Sequence, residues 1–561
     1  MKHKPRPSFI PWRFYLLLSV ILLAASGLVW RVFTLAILDS TFLQKQGNDR
    51  VLRMVSTPAF RGMIVDRNGS PLAISTRVYS VWMNPQEFAP STKEAKAVAK
   101  LLGVKSSSIY ASIERNKKSK REYAYLKRGQ VPAVAAQIKS LHVKGLHVQE
   151  EYRRYYPEGE VVAHVVGFTN IDDKGQDGLE LAYNDWLAGE PGKKWVIKDR
   201  LGRIISDVKA VQVERPGHDL VLSIDRRIQY VAYRELLKGV AENQAVSGSA
   251  VVLDAKTGEV LAMVNAPSYN PNNRPAKIGE RLRNRSVTDS FEPGSTIKPF
   301  SMSLALASKK YTPDTVIDTT PGWMRVGRNV VRDHRSLHKL SITEIIQKSS
   351  NVGIAKIMLT LSPNAFWQLL SDSGFGEVSE ISFPGEQSGS LLRHNPWGQF
   401  VYATMTFGYG MSVNTLQLAR AYLIFAHEGM RLPVSLLRVD KAPQGKQVIS
   451  PKVAKQVLDM METVVKKGGT AVVAGVSGYR VAGKTGTSKI AMNGGYSKNH
   501  YISSFVGVAP VSDPRIVIAV IVNDPGGKRH YGGNVSGPVF SHIMEGALRI
   551  LDVSPDDLKR A

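Results

Sequence analysis

The chain runs to 561 residues, too long for one hydrophobic core, which predicts two or three domains. Hydrophobic residues at 43% and charged residues at 22% exclude a disordered chain, and the lack of cysteine excludes disulfides and thiolate chemistry. A formal charge of +27 raises nucleic acid as a partner, but no dense basic block interleaved with aromatics is present, so an anionic membrane or anionic polymer suits it better.

Lys2, Lys4, Arg6 and Arg13 precede an uncharged stretch from Phe14 to Trp30 that is long enough to span a bilayer. Apolar character resumes after Arg31 and runs to Leu38, with Arg31 placed to snorkel. A cleaved signal peptide is the alternative, and Ala24-Ala25-Ser26 offers small residues for it. The segment exceeds the usual apolar core of about 7–15 residues and ends in Trp-Arg, which favours an anchor. The basic flank puts the N-terminus in the cytoplasm and everything beyond residue 40 or so outside.

From Asp39 to Pro216 the pattern predicts short strands and turns with a few helices. Residues 61–69 alternate into Asn68-Gly69, a strand ending in a tight turn. Residues 93–116 and 131–140 have helical spacing, and Asp177–Leu187 reads as an amphipathic helix. This region carries no catalytic constellation, so it is read as a structural or partner-binding module.

Arg215-Pro216-Gly217 is a boundary. Beyond it, Asp219–Ile224 predicts a strand, Arg226–Val240 a helix, and Ala250–Asp254 with Glu259–Val264 a hairpin. Ser503–Ala509 and Arg515–Val522 are apolar strands. Helices are expected near 296–308, 341–348, 352–360, 414–428 and 451–466. Strands early and late with helices between them predict an α+β fold, one antiparallel sheet flanked by helices.

Three motifs fall in order along this half: Ser295-Thr296-Ile297-Lys298, Ser349-Ser350-Asn351 and Lys484-Thr485-Gly486-Thr487. In that order they form a set in which a serine is acylated without a histidine. Pro299 is tolerated only in a first turn, which pins the helix start close to Ser295 and puts its hydroxyl at the positive end of the dipole. Lys298 shares that face, three residues on, and a lysine with a depressed pKa would accept the serine proton. Ser349-Ser350-Asn351 interrupts two helical stretches; it is either a cap or a polar group pointing into a cleft, where Asn351 would bind an amide and Ser349 relay a proton.

Decoys exist for each motif. Ser206-Lys209 and Ser336-Lys339 lack a helix start, and Lys256-Thr257-Gly258 is a hairpin turn. Residues 478–485 also satisfy the phosphate-binding pattern G-x-x-x-x-G-K-[ST], yet no apolar strand precedes them and a polar Asn-Gly-Gly loop follows. An edge strand fits better, with Gly486 admitting substrate backbone and Lys484, Thr485 and Thr487 offering a cation and hydroxyls to a carboxylate. His334 and His338 have i, i+4 spacing without a completing carboxylate and are read as surface residues, so neither metal nor cofactor is expected.

Taken together, these motifs resemble a class B penicillin-binding protein of the division-specific type. Further matches are Arg61-Gly62-x-Ile64-x-Asp66-Arg67-Asn68-Gly69, Tyr156-Pro157, His164-Val165-Val166-Gly167, Gly178-Leu179-Glu180, Phe291–Pro299, Lys348–Gly353, Gly408-Tyr409-Gly410 and Gly483–Thr487. The resemblance implies a cytoplasmic tail (1–13), a transmembrane anchor (14–38), an elongated non-catalytic pedestal (39–216) and a transpeptidase domain (217–555) with an added all-helical subdomain. It implies a D,D-transpeptidase of the inner membrane that cross-links peptidoglycan stem peptides on the periplasmic side. Ser295 would be the nucleophile, Lys298 the base and Ser349 the proton relay. Asn351, Lys484, Thr485, Gly486 and Thr487 would bind substrate, and β-lactams would acylate Ser295. A membrane glycosyltransferase and other divisome proteins are the implied partners. Relatives often carry Ser where this chain has Thr485. A β-lactamase, a D,D-carboxypeptidase and a non-catalytic β-lactam sensor or scaffold share the triad. A lactamase of class A would need a glutamate-held deacylating water, and no glutamate–asparagine loop for it stands out between Asn351 and Lys484, although Glu377, Glu380 and Glu386 lie there.

Overall fold

The computed structural model describes residues 11–198, 204–275, 279–393, 397–492, 495–527 and 529–557. Lys2, Lys4 and Arg6 of the expected cytoplasmic tail lie outside the described residues. By packing, the chain divides into two compact units, one of residues up to Phe60 with Arg77–Glu151 and Gly189–Pro216, the other of Arg61–Thr76, Tyr152–Ala188 and Gly217–Ala561.

The first unit opens with helix α1, Pro11–Phe33, continued by a π-turn over Thr34–Leu38 in which the Asp39 N–H bonds the Thr34 carbonyl at 2.7 Å. Pro11–Leu38 holds an 18-residue window of mean hydropathy 2.2, none of it buried. A helix this long and apolar, with its surface left open, is fit to cross a membrane. Strands Leu52–Thr57, Gly192–Lys198 and Ile204–Gln212 form an antiparallel ribbon, which absorbs the decoy Ser206-Lys209 as strand. A separate small core gathers Val81, Met83, Phe88, Val98, Leu102 and Ile138. The helical run expected over 93–116 is two helices, Thr92–Leu102 and Ser106–Lys118, because Gly103 takes a left-handed C-cap at φ +60°. Ser91 and Glu94 close a capping box at the start of the first.

In the second unit, residues Arg61, Glu180 and Arg154 form a buried ion cluster. Glu180 Oε2 accepts from Arg61 Nε at 2.7 Å and Oε1 from Arg154 Nε at 2.6 Å, with all three side chains at most 1% exposed. Arg61 also donates to Asn184 Oδ1 at 3.2 Å. The helix expected over Asp177–Leu187 is two short ones, Gly178–Ala182 and Asn184–Ala188, parted at Tyr183, which ends the first with a non-helical φ of −111°. The expected turn at Asn68-Gly69 is present, closed by the Gly69 N–H on the Asp66 carbonyl at 3.0 Å. The strand expected over Asp219–Ile224 shrinks to Leu220–Val221, which runs parallel to Ile64–Val65.

The body of this unit is a five-stranded antiparallel sheet. Its strands are β1 Ala245–Asp254, β2 Val260–Ala266, β3 Ala482–Met492, β4 Gly495–Ala509 and β5 Ile516–Pro525, in the order β2-β1-β5-β4-β3. Central strands read as continuous apolar runs such as Ala250-Val251-Val252-Leu253, all unexposed, because both faces are covered. Helices α2 Arg226–Glu242 and α8 Gly532–Ile550 pack together on the sheet. Helix α6 Thr415–Ala426 packs on β1 and β5 and is buried along its whole length. Against α6 pack α7 Pro451–Glu462 and, through Phe300 on Tyr422 and Phe425, α3 Lys298–Ala307, while α4 Ile342–Lys348 and α5 Asn351–Met358 pack on α3. Gly258 turns the β1–β2 hairpin at φ +73°, and Asp254 Oδ1 accepts from the N–H groups of Lys256 and Thr257, so the decoy Lys256-Thr257-Gly258 is a turn as expected.

Candidate active site

Ser295 sits in a 3₁₀ turn, Gly294–Ile297, that feeds directly into α3, with Pro299 in the first turn of the helix. The helix start expected at Ser295 is therefore displaced by one tight turn. Ser295 is half-buried and lines a cleft of about 600 Å³ together with Ser349, Thr485 and Thr487. Lys298, one position into α3, is fully buried. Its Nζ donates to the Ser349 carbonyl at 2.5 Å, to Asn351 Oδ1 at 2.7 Å and to Ser349 Oγ at 3.2 Å. Burial pushes its pKa down to about 7, against the opposing pull of the Asp333 carboxylate. A neutral amine keeps two N–H bonds, which the two closest acceptors can hold, and that leaves its lone pair for a serine proton.

Ser349 ends α4 in left-handed geometry at φ +60°, a conformation that costs a non-glycine residue about 1–2 kcal/mol. The cost is met by two capping bonds, from the N–H groups of Ser349 and Ser350 to the carbonyls of Ile346 and Ile345. Ser350 then N-caps α5, its Oγ accepting from the Gly353 N–H at 2.9 Å. The tripeptide is thus both the cap and the group that faces the cleft.

Lys484 arrives from the sheet. Its segment is β3, the edge strand, paired residue by residue with β4 from Ala482 to Lys489. A strand continuing through Lys484 and Thr485 with no helix after them rules out the phosphate-loop pattern. Lys484 Nζ is fully buried and bonds Ser349 Oγ at 2.9 Å, so both lysines meet on one hydroxyl. Burial, and then the neighbouring Lys298, hold the Lys484 pKa well below the ordinary lysine range. Thr485 Oγ1 pairs with Thr470 Oγ1 at 3.1 Å, and Thr487 Oγ1 accepts from the Gly532 N–H at 3.0 Å, the first turn of α8. Gly486 has a reason other than the one its sequence suggests. A Cβ there would lie 2.2 Å from Ser504 Oγ and 2.9 Å from the Pro293 carbonyl, so glycine lets β3 lie against the Ser295 turn.

All eight expected residues therefore converge: four line the cleft, Lys298 and Lys484 join them through Ser349, Asn351 through Lys298, and Gly486 packs against the turn that carries Ser295. Several neighbours carry no signal in the sequence. Asp333 accepts from Ser350 Oγ at 2.7 Å and from the N–H groups of Asn351 and Val352 at 2.5 and 3.0 Å. Thr470, Tyr531 and Gly532 line the cleft from distant segments. His334 is exposed, as expected of a surface residue, and also lines the cleft, edge-on to Tyr531 at 5.7 Å. Among the described residues no group of three or more His, Asp or Glu could hold a metal ion. Glu377 is bound to Arg420 at 2.8 Å and Arg431 at 2.5 Å, and Glu386 accepts from the Ser379 N–H at 2.6 Å. Neither these nor Glu380 lines the cleft.

Comparison with known proteins agrees with this geometry. Residues 248–545 match the penicillin binding protein transpeptidase domain, and residues 56–222 the penicillin-binding protein dimerisation domain. The chain is 41% identical over 548 residues to a probable peptidoglycan D,D-transpeptidase PbpC of Pseudomonas aeruginosa, covering 98% of this chain and 97% of that one. It is 42% identical over 562 residues to the peptidoglycan D,D-transpeptidase FtsI of Escherichia coli, covering 99% and 95%. A crystal structure of a peptidoglycan synthetase from Bifidobacterium adolescentis aligns with TM-score 0.71 at 26% identity, over 90% of this chain and 98% of that one. The transpeptidase domain of Burkholderia pseudomallei penicillin-binding protein 3 aligns with TM-score 0.56 at 42% identity, over 60% and 97%. With its serine, two lysines and hydroxyl cluster in one cleft, this chain belongs to the penicillin-binding proteins, in the family of peptidoglycan D,D-transpeptidases.

Proposed function

We propose that the chain cross-links stem peptides during septal wall synthesis through an acyl-enzyme on Ser295. Lys298, neutral when the reaction begins, takes the Ser295 proton as the hydroxyl attacks the penultimate D-Ala carbonyl. Oxygen charge in the tetrahedral intermediate is met by the N–H groups of Ser295 and Thr487. The proton reaches the departing D-Ala nitrogen through Ser349. A side-chain amine of a neighbouring strand then attacks the ester, and Ser295 recovers its proton. Thr485 and Thr487 hold the terminal carboxylate beside Lys484, while Asn351 holds a substrate amide. β-Lactams enter as mimics of the same peptide.

The observation that carries this reading is the placement of Lys298, buried with two short acceptors, on the hydroxyl that Lys484 also bonds. None of Glu377, Glu380 and Glu386 lines the cleft, which favours a long-lived acyl-enzyme over rapid drug hydrolysis. We place the N-terminus in the cytoplasm, the body (39–216 as pedestal, 217–555 as catalytic domain) in the periplasm, and a membrane glycosyltransferase with other divisome proteins as partners. The full chain in detergent, exposed to a fluorescent penicillin, takes up stable label, and Ser295→Ala takes up none. Equal labelling of both would sink the assignment of Ser295.

A further inference from the structure

We propose that Asp333 is the positioning residue of this cleft and the counter-ion of its two buried lysines, so that Lys298 and Lys484 together carry one positive charge. The inference rests on the acyl-serine reading above. Both oxygens of Asp333 are spent on one short segment, Oδ2 on the Ser350 hydroxyl at 2.7 Å and Oδ1 on the Asn351 and Val352 N–H groups at 2.5 and 3.0 Å. These N–H groups open α5, where unpaired donors and the helix dipole favour a carboxylate. Asn351 is held on its other side as well, its Nδ2 donating to the Arg332 carbonyl at 3.0 Å. Thus fixed, Asn351 offers Oδ1 to Lys298 at 2.7 Å. Asp333 reaches the catalytic lysine through a single residue.

Charge balance makes the second half of the case. Lys298 and Lys484 are both unexposed, and both amines lie on Ser349 Oγ, at 3.2 and 2.9 Å. Two ammonium groups on one hydroxyl oxygen, out of water, repel strongly. Around them stand Lys298 from α3, Lys348 and Ser349 from α4, Lys484 from β3, and Asp333, His334 and Arg335 from the segment before α4. Asp333 is the single carboxylate among these; Arg335 is exposed to water and Lys348 donates to the Gly468 carbonyl at 2.7 Å, so Asp333 balances one of the two buried ammoniums. The Ser349 hydroxyl lies between the amines and can pass its proton to one while accepting another, so the shared proton moves with no net change. Residing on Lys484, it frees the Lys298 lone pair for Ser295. A substrate carboxylate at Thr485 and Thr487 draws it there.

Acylation of the full chain by a fluorescent penicillin, followed across pH, tests this. Asp333→Asn should move the rising limb of the rate constant to lower pH by about one unit, since Lys298 loses the charge that favours its ammonium, and lower the plateau roughly tenfold. Asp333→Glu keeps the charge, so its limb stays at the native pH. Ser350→Ala breaks one bond to Asp333 without touching the charge, so its plateau falls while the limb stays. His334→Gln retains the limb. An Asp333→Asn limb that stays put or moves to higher pH overturns the proposal, as does a limb that vanishes in His334→Gln. Should Asp333→Asn not fold, the other pair decides: a limb that moves in Asp333→Glu or Ser350→Ala overturns it. Absence of label on the native chain is the separate outcome that would overturn the acyl-serine reading itself.

Discussion

At the scale of single residues, the proposed chemistry turns on Lys298. Its ordinary pKa would leave it an ammonium with no capacity to accept a proton at neutral pH. Full burial brings the pKa to about 7, with Asp333 pulling the other way. The sign follows directly: above that pH the amine is neutral and the serine can be activated, and below it the ammonium cannot act as a base. Acylation by penicillin should therefore fall as pH drops through about 7, approaching tenfold per unit on the acid side. Stopped-flow acylation across pH measures it; a flat profile from about pH 5 to 9 would remove Lys298 as the base. Ser295, Lys298, Ser349, Asn351 and Lys484 were all legible from the chain, since each motif is a local spacing with a helix start, a helix break or a strand around it. Asp333 was not, because its partners lie 17 to 19 residues away and no periodicity links them.

At the scale of elements, buried charge does work usually left to apolar packing. Glu180 faces two guanidiniums, Arg61 and Arg154, from three separate segments of the chain. Removing the carboxylate charge leaves two buried cations without a partner. Glu180→Gln should destabilise the unit by about 3–5 kcal/mol, read as a lower denaturant midpoint. A change below about 0.5 kcal/mol, the scale of surface substitutions, would mean that the cluster is dispensable. The Arg61-Gly62 and Gly178-Leu179-Glu180 motifs were visible as matches to a family, but their meeting was not. The helix expected over Asp177–Leu187 became two at Tyr183, whose non-helical φ of −111° no spacing of apolar residues announces. Helix α6, the sheet strands and the β1–β2 hairpin followed their sequence patterns closely, because burial on both faces leaves few alternatives to a continuous apolar run.

At the scale of the whole molecule, α1 and the large body make separate claims. The spanning window of α1 is unburied, and no residue of α1 lines the cleft. A chain beginning at Asp39 should leave the membrane fraction yet still take up fluorescent penicillin at Ser295. Persistence in the membrane pellet would assign the residence to another surface of the body. Unlabelled but soluble protein would tie the cleft to the anchor.

The sequence by itself determined the ordered triad, the anchor, the α+β class and the edge-strand character of the third motif. Each of these is written in neighbours: a proline in a first turn, an uncharged run, a glycine between hydroxyl residues. Tertiary structure alone decided that the two lysines share the Ser349 hydroxyl, that Thr470 and the start of α8 complete the cleft, and that Asp333 supplies its carboxylate. Those facts depend on folding distant segments onto one sheet edge, and proton affinity depends on burial, which no spacing of residues along a chain can express.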